Sequence, residues 1–384
     1  MRIVHILPAL TKGGGERVAV DLANAFAEAG HQVAMLAGHP VDPALLADRL
    51  DASIALRFVA ERDPGRFGRY RTGLRWVREN WAWLAEQDVV HAHMTYGAFI
   101  AGLVRFRRKR LGTARPAVVE TYHGVGMPIP RRNRFAYACL ASYRDGLAVM
   151  AEDPYWNRFR ARRPKLHSRL ILNGVSAPRE VPPVEAAAYR RALGIPEERA
   201  SITGTIGVMR PERQAPLYAA IFARMADALG PGAHFILGGD GPDMPRVRAT
   251  VSGSGLAGRI HLPGMVGEPA LPLASMDLYL TLNVGAVTGV AAIEAALAGV
   301  PLLGLQVVED YRPAGEEWIW STRDPEAVAA RAVELLRNPA ALRALAQKQQ
   351  AHAKCRHGVE RMAKAYESLY EAAIDAAART ARNA

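Results

Sequence analysis

The sequence is poor in whatever staples a chain or anchors it in a bilayer. It has 384 residues and only 2 cysteines, Cys139 and Cys355. Two thiols cannot build a disulfide framework or a four-cysteine metal site, so both are read as ordinary reduced thiols. No apolar run reaches the ~18 to 20 residues of a membrane-spanning helix, so any membrane contact is expected to be peripheral. The opening MRIVHILPAL leads into Lys12 and glycines instead of a small-residue cleavage site, so no secretory signal is expected. These absences point to a cytoplasmic protein, with the inner face of the cell membrane as the surface it could meet. Lysine is scarce too: six of 49 basic residues, at 12, 109, 165, 348, 354 and 364. No recognition motif or basic–aromatic interleaving accompanies the arginines, so no nucleic-acid partner is expected.

What is present is material for a core. Half of the residues are apolar and 22% are charged, the balance of a folded globular protein. The length suggests two domains. The net charge of +12 is lopsided: residues 1–175 hold 27 basic and 15 acidic residues, while 176–384 hold 22 of each. Both halves share one codon bias, so the asymmetry is read as a property of what the first half meets, an anionic acceptor or surface.

Strand and helix patterns alternate along the chain. RIVHIL, QVAMLAG, DVVHAH (88–93), AVVETYH (117–123), GLAVMA (146–151) and RLILN (169–173) read as buried strands. Between the first two, Val18, Leu22, Ala25, Phe26 and Ala29 follow helical spacing, and Gly30 supplies a helix stop. A proline-rich stretch, 176–199, reads as a linker with a short helix inside it. SITGTIGVM (201–209), HFILGGDGP (234–242), RIHLPG (259–264), DLYLTL (277–282) and VPLLGL (300–305) repeat the design, and the chain is helical from 324 onward. The expected architecture is α/β: two Rossmann-like domains with parallel sheets, residues 1–175 and 200–355, facing a central cleft. Residues 356–384 form a terminal helix.

Several positions could carry chemistry. Gly13, Gly14 and Gly15 sit between the first strand and first helix, where backbone amides and the helix N-terminus can receive an anion. The G-x-G-x-x-G spacing of a dinucleotide site is absent, and a plain tight turn remains the alternative. His93 and His123 end strands of the first domain, where a ring can meet a sugar hydroxyl or a developing charge; Thr95 and Tyr96 follow on the acceptor side. His91 is read as pointing to the other face and as structural. No spacing joins these residues into a zinc site. In the second half Gly239 lies in a second glycine loop. Arg210 and Arg213 follow a strand and suit a diphosphate. Glu294 lies on the helix that begins near Gly289 and suits a ribose.

These strings, taken in order, resemble the retaining nucleotide-sugar glycosyltransferases of family 4 with the GT-B fold. GGGERVAVDLANAFAEAGHQV, DVVHAH, TYHG, LILNGVS, IGVMRPER, GDGP, RIHLPG, IEAALAGVPLL and VERMAKAYESLY carry the resemblance across nearly the whole chain. It implies metal-independent transfer, with retention, from a UDP- or GDP-linked sugar to a glycan, lipid-linked or other anionic acceptor, and no cofactor. It places Gly14 and Gly15 near the diphosphate and His123 at the donor sugar. Arg213 takes the place of the family's diphosphate-neutralising Lys, Glu294 holds the ribose, and the backbone of Ile260 to Leu262 meets the base. The terminal helix crosses back to the first domain. The chain departs from the pattern at Ala286, where a second Glu is usual, and at Val208, where an Arg is usual. An inactive glycan- or membrane-binding relative and a nucleotide-sugar epimerase are the alternatives.

Overall fold

The computed structural model describes residues 1–10, 13–40, 49–123, 144–164, 166–196, 201–211, 214–282, 287–307 and 309–382. Cys139, Arg213, Ala286 and the basic run 131–134 lie outside them. The chain divides into two compact units, Met1–Val175 with Val359–Ala384, and Ser176–Gly358.

Among the described residues the first unit holds a parallel sheet ordered β3-β2-β1-β4-β5-β6-β7. The strands are β1 (Arg2–Leu7), β2 (Gln32–Ala37), β3 (Ala55–Phe58), β4 (Val89–His93), β5 (Ala117–Tyr122), β6 (Gly146–Val149) and β7 (His167–Leu170). The period of two decides which face each side chain meets. Val4, Ile6, Val90, Ala92 and Val118 join Trp76, Val77, Ile100 and Val104 in one apolar cluster. Those helical partners belong to α2 (Gly65–Glu79) and α4 (Met94–Leu111). The opposite face is covered by α1 (Gly14–Glu28) and by the 24-residue terminal helix, α13 (Val359–Arg382). The helix α13 buries Met362, Tyr366, Leu369, Tyr370 and Ala373 at helical spacing. Its Tyr370 hydroxyl lies 2.7 Å from His91 Nδ1, and its Tyr366 hydroxyl 2.6 Å from Thr121 Oγ1, so hydrogen bonds as well as apolar packing hold it to the sheet.

Asp145 and Glu120 each take part in a buried ion pair of this unit. Asp145 accepts 2.6 and 3.0 Å bonds from the Arg108 guanidinium and a 2.9 Å bond from the Val118 amide. Glu120 pairs with Arg144. The expected helix stop is in place, since Gly30 adopts φ +82 and donates to the Ala27 carbonyl. Strand β3, α2 and α3 (Trp81–Ala85) were not anticipated, because GRFGRYRTGLRWVRE offers few apolar positions for a helical stripe.

The second unit holds a parallel sheet ordered β10-β9-β8-β11-β12-β13. Its strands are β8 (Ser201–Ile206), β9 (Ala233–Gly238), β10 (Ile260–Gly264), β11 (Leu278–Thr281), β12 (Leu302–Leu305) and β13 (Ser321–Thr322). The helix expected within the linker, Pro183–Ala192, belongs to this unit: Ser275 Oγ donates to the Ala186 carbonyl, and Arg179 bridges Glu185 and Glu268. The core combines β8, β9, β11 and β12 with the helices Pro216–Leu229 and Pro325–Leu336.

Candidate functional site

In a parallel sheet the carboxyl ends of the strands share one edge, and loops from that edge carry ligands. In the first unit this edge brings together the glycine turn after β1, the β4–α4 junction and the end of β5. Gly13 is the N-cap of α1 and offers no side-chain cap, and the carboxylate of Glu16 in the first turn lies beside it. His123 follows β5 directly. A Cβ built on Gly15 would stand 3.5 Å from His123 Cγ and 3.6 Å from His123 Nδ1, so glycine turn and imidazole face each other. Both were expected at the site, and the fold makes them neighbours.

His93 ends β4 and is completely buried. Its Nδ1 lies 3.0 Å from His123 Nε2, so it backs that ring. Met94, next in sequence, adopts φ +59, a conformation that a non-glycine residue rarely takes; such outliers gather where a chain is bent for function. Thr95 is exposed on the first turn of α4. Tyr96 is buried instead: its hydroxyl donates to the Arg69 carbonyl at 3.1 Å, and burial pushes that hydroxyl up to about 12.

The reading of His91 requires a correction. Residues two apart on a strand share a face, so His91 and His93 point the same way, with ring centroids 4.1 Å apart. The structural role holds, with the nitrogens of His91 at 2.7 Å from Thr121 Oγ1 and 2.7 Å from the Tyr370 hydroxyl. Sequence reasoning missed His5, whose Nδ1 lies 3.1 Å from His93 Nε2. An imidazole in the apolar strand RIVHIL was the available signal, because a buried ring nitrogen needs a partner.

Burial holds every ring of this cluster in its neutral form. It lowers His5 to about 3 and His123 to about 4. Burial, reinforced by the neighbouring imidazoles, holds His91 and His93 well below the usual histidine range. The nitrogens of His5, His91 and His93 lie close enough together to bind one metal ion. Five of these six nitrogens are already engaged in hydrogen bonds to one another, to His123, Thr121 or Tyr370.

In the second unit β8 continues alongside the glycine loop. Gly207 donates to the Gly238 carbonyl (2.9 Å), Met209 to Asp240 (2.9 Å), and Gly239 to Gly264 (2.7 Å). The carboxyl ends of β8, β9 and β10 are thereby stitched together. Gly239 adopts φ +135, and a Cβ there would collide with the Gly207 carbonyl oxygen. Arg210 is exposed just beyond this contact, whereas Val208 is half-buried. Strand β10 is the sheet edge, and its pairing with β9 shifts register between His261 and Gly264. The backbone around Leu262 therefore departs from the regular ladder, while the Ile260 side chain is buried in the core. Gly289 is the N-cap of α10 (Val290–Leu297), and Glu294 is buried near the middle of that helix.

Comparison with known proteins agrees with this architecture. The family model for Glycosyltransferase Family 4 matches residues 12–202, and that for Glycosyl transferases group 1 matches residues 200–338. A 2-deoxystreptamine N-acetyl-D-glucosaminyltransferase from Streptomyces fradiae is 32% identical over 141 residues, 36% of this chain and 33% of the relative. A 2-deoxystreptamine glucosyltransferase from Streptomyces kanamyceticus is 30% identical over 125 residues, 32% of each. The matched stretches thus span about a third of each relative's length. Among solved structures, Anabaena HepE in complex with UDP-glucose superposes with a TM-score of 0.76 at 17% identity, covering 96% of this chain and 100% of that one. Sucrose-phosphate synthase from Thermosynechococcus elongatus gives 0.73 at 18% identity, covering 96% and 98%. The chain belongs to the group 1, family 4 glycosyltransferases of the GT-B fold.

Proposed function

We propose that the chain transfers a sugar from a nucleoside-diphosphate sugar, UDP- or GDP-linked, with retention of anomeric configuration and without a metal. The observation that carries the reading is His123 set against Gly15 at the carboxyl edge of the first sheet, where α1 begins. The bond between the anomeric carbon and the diphosphate breaks, and the acceptor oxygen bonds to the same face. The acceptor's hydroxyl proton passes to the departing diphosphate. In the second unit Arg210, and by the family resemblance Arg213, meet the charge on that diphosphate. Gly239 and the Leu262 backbone line the nucleotide side, and Glu294 receives the ribose. The UDP-glucose held by the HepE structure makes a UDP-linked sugar the first donor to try.

A thermal-shift series with UDP, GDP and their sugars, in the presence of a chelator, tests this reading. A bound nucleotide raises Tm by mass action. No shift and no calorimetric signal at millimolar UDP or GDP would remove it.

Two observations bear on the acceptor. The net charge of +12 favours an anionic or lipid-linked one, and residues 359–384 add four basic and four acidic residues to the first unit, leaving its excess unchanged. Tyr70, Arg71, Leu74, Arg75 and Arg78 are exposed along one stripe of α2, with Phe106, Lys109, Arg110 and Leu111 on α4, a cationic and apolar pattern suited to an anionic membrane. Lys109, Arg110 and Leu111, at the far end of α4, lie about 25 Å along the helix from the His123 edge, a place suited to a surface more than to a small acceptor. A second reading rests on the Streptomyces relatives, named for an amine-bearing cyclitol. Turnover of a donor with 2-deoxystreptamine beside an anionic glycolipid separates the two, and donor consumed without any acceptor would point to an epimerase.

A further inference from the structure

The first sheet carries a run of three imidazoles, of which the proposed transfer uses only the last, half-buried His123; His5 and His93 lie buried behind it. His5 Nδ1 lies 3.1 Å from His93 Nε2, and His93 Nδ1 lies 3.0 Å from His123 Nε2. At the site end, the Nδ1 edge of His123 faces Gly15. At the buried end, His5 Nε2 has no partner among the described residues. His91 stands beside the run without joining it, since both of its nitrogens are taken by Thr121 and Tyr370. The run is therefore linear: two internal hydrogen bonds and one open nitrogen at each end.

A neutral imidazole donates from one nitrogen and accepts at the other, so such a run has two arrangements. If the protons sit on Nε2, His123 donates inward, presents a bare lone pair to Gly15, and leaves the His5 Nε2–H buried without an acceptor. If they sit on Nδ1, His5 donates to His93, His93 donates to His123, and His123 presents an N–H to Gly15. The second arrangement buries only a lone pair. Orphaned buried N–H groups are the rarer defect.

We propose that His5 fixes the polarity of the run, so that His123 presents Nδ1–H to the glycine turn as a standing hydrogen-bond donor. His5 is then a positioning residue that acts through His93. Burial keeps the rings neutral, which the arrangement requires. His123 accordingly holds an oxygen of the ligand at the glycine turn and has no lone pair there to act as a base. This deepens the reading of His123 as a donor-sugar contact, but the tautomer itself can be measured without any sugar.

Long-range 1H–15N correlation spectra of the 15N-histidine-labelled full chain at pH 7 test it. The expected result is a directly bonded proton on Nδ1 of His5, His93 and His123. A proton on Nε2 of His123, or a protonated His123 ring at that pH, would overturn the proposal. His5→Leu removes the donor to His93 and is expected to mix the tautomers of His123. It should also raise the KM for the donor about fivefold, the weight of one neutral hydrogen bond, with kcat nearly unchanged. His5→Gln restores an N–H donor and is expected to bring both readouts back to within about twofold. If His5→Leu fails to fold, the wild-type and His5→Gln spectra still decide: Nε2 protonation of His123 in either refutes the lock. Correct tautomers without nucleotide-sugar binding would sink the functional reading and leave this one standing.

Discussion

The two units share a parallel sheet and a glycine turn after a strand, and they use both differently. In the second unit Gly239 adopts φ +135 with the Gly207 carbonyl against it, so the backbone itself demands glycine. In the first unit Gly15 lies within α1, and a Cβ there would make only ordinary contacts at 3.5 Å and beyond. Gly13 is equally undemanding, since its added Cβ would meet only the end of the flexible Glu16 side chain. The second turn is glycine because the backbone must fit; in the first, only side chains stand near the positions an added Cβ would take. The cores differ as well. Strands β1, β4 and β5 carry His5, His91, His93 and Glu120, whereas SITGTI, LYLT and LLGL of β8, β11 and β12 hold no charged residue or histidine.

Acid sharpens that contrast most. An unfolded histidine binds its proton near 6.5, but burial lowers His5 to about 3 and His123 to about 4 in the folded first unit. Between those values the unfolded chain holds more protons. The stability they contribute is complete above about pH 6.5 and is lost as pH falls toward 3, by several kcal/mol. In the second unit burial opposes the charge on Glu316, but hydrogen bonds from His357 and Arg356 outweigh it and hold Glu316 at about 2 against the ordinary 4.5. That contribution is complete above about pH 4.5 and is lost only below it. His234, His261 and His352 are lowered too, by burial first; His234 is buried, whereas His261 and His352 are half-exposed to solvent. Hydrogen exchange at pH 7, 6 and 5 should therefore show β1, β4 and β5 losing protection before β8, β11 and β12. Equal loss in both units would break the comparison.

The next effects are single substitutions. Gly239→Ala forces a left-handed residue against the Gly207 carbonyl and should destabilise the second unit by about 3 kcal/mol, measured by urea unfolding. Tyr370→Phe leaves His91 Nδ1 without its 2.7 Å partner and should cost the first unit about 1 to 2 kcal/mol. Protection lost along α13 before the rest of the unit would localise that cost.

The alternating strands and helices were legible in sequence because each buried strand is a short apolar run and a helix such as α1 a clear stripe, with Val18, Leu22 and Phe26 buried at the expected spacing. What escaped notice had physical causes. The arginine-rich α2 buries a narrow face around Gly73, Trp76 and Val77, so composition hid it. The partnership of His5 with His93 joins residues 88 apart, which no local pattern encodes. His123 and Gly15 were each legible as site residues; their mutual approach depends on the order β1-β4-β5 within the sheet.

Gly15→Ala is the smallest perturbation of the fold and the most direct probe of the contrast. Alanine is the better helix former, and its Cβ would meet His123 Cγ at 3.5 Å and Met94 Cε at 3.6 Å without a clash. Stability should thus stay within about 0.5 kcal/mol of wild type. The methyl group nevertheless occupies the gap between the start of α1 and the imidazole, where the proposed donor sugar lies. Small displacements of a reacting group are costly, so kcat/KM should fall by about 10- to 100-fold while Tm is unchanged. An alanine variant with full turnover would show that no ligand needs glycine at position 15, and the distinction between a glycine kept for the chain and a glycine kept for a ligand would no longer hold.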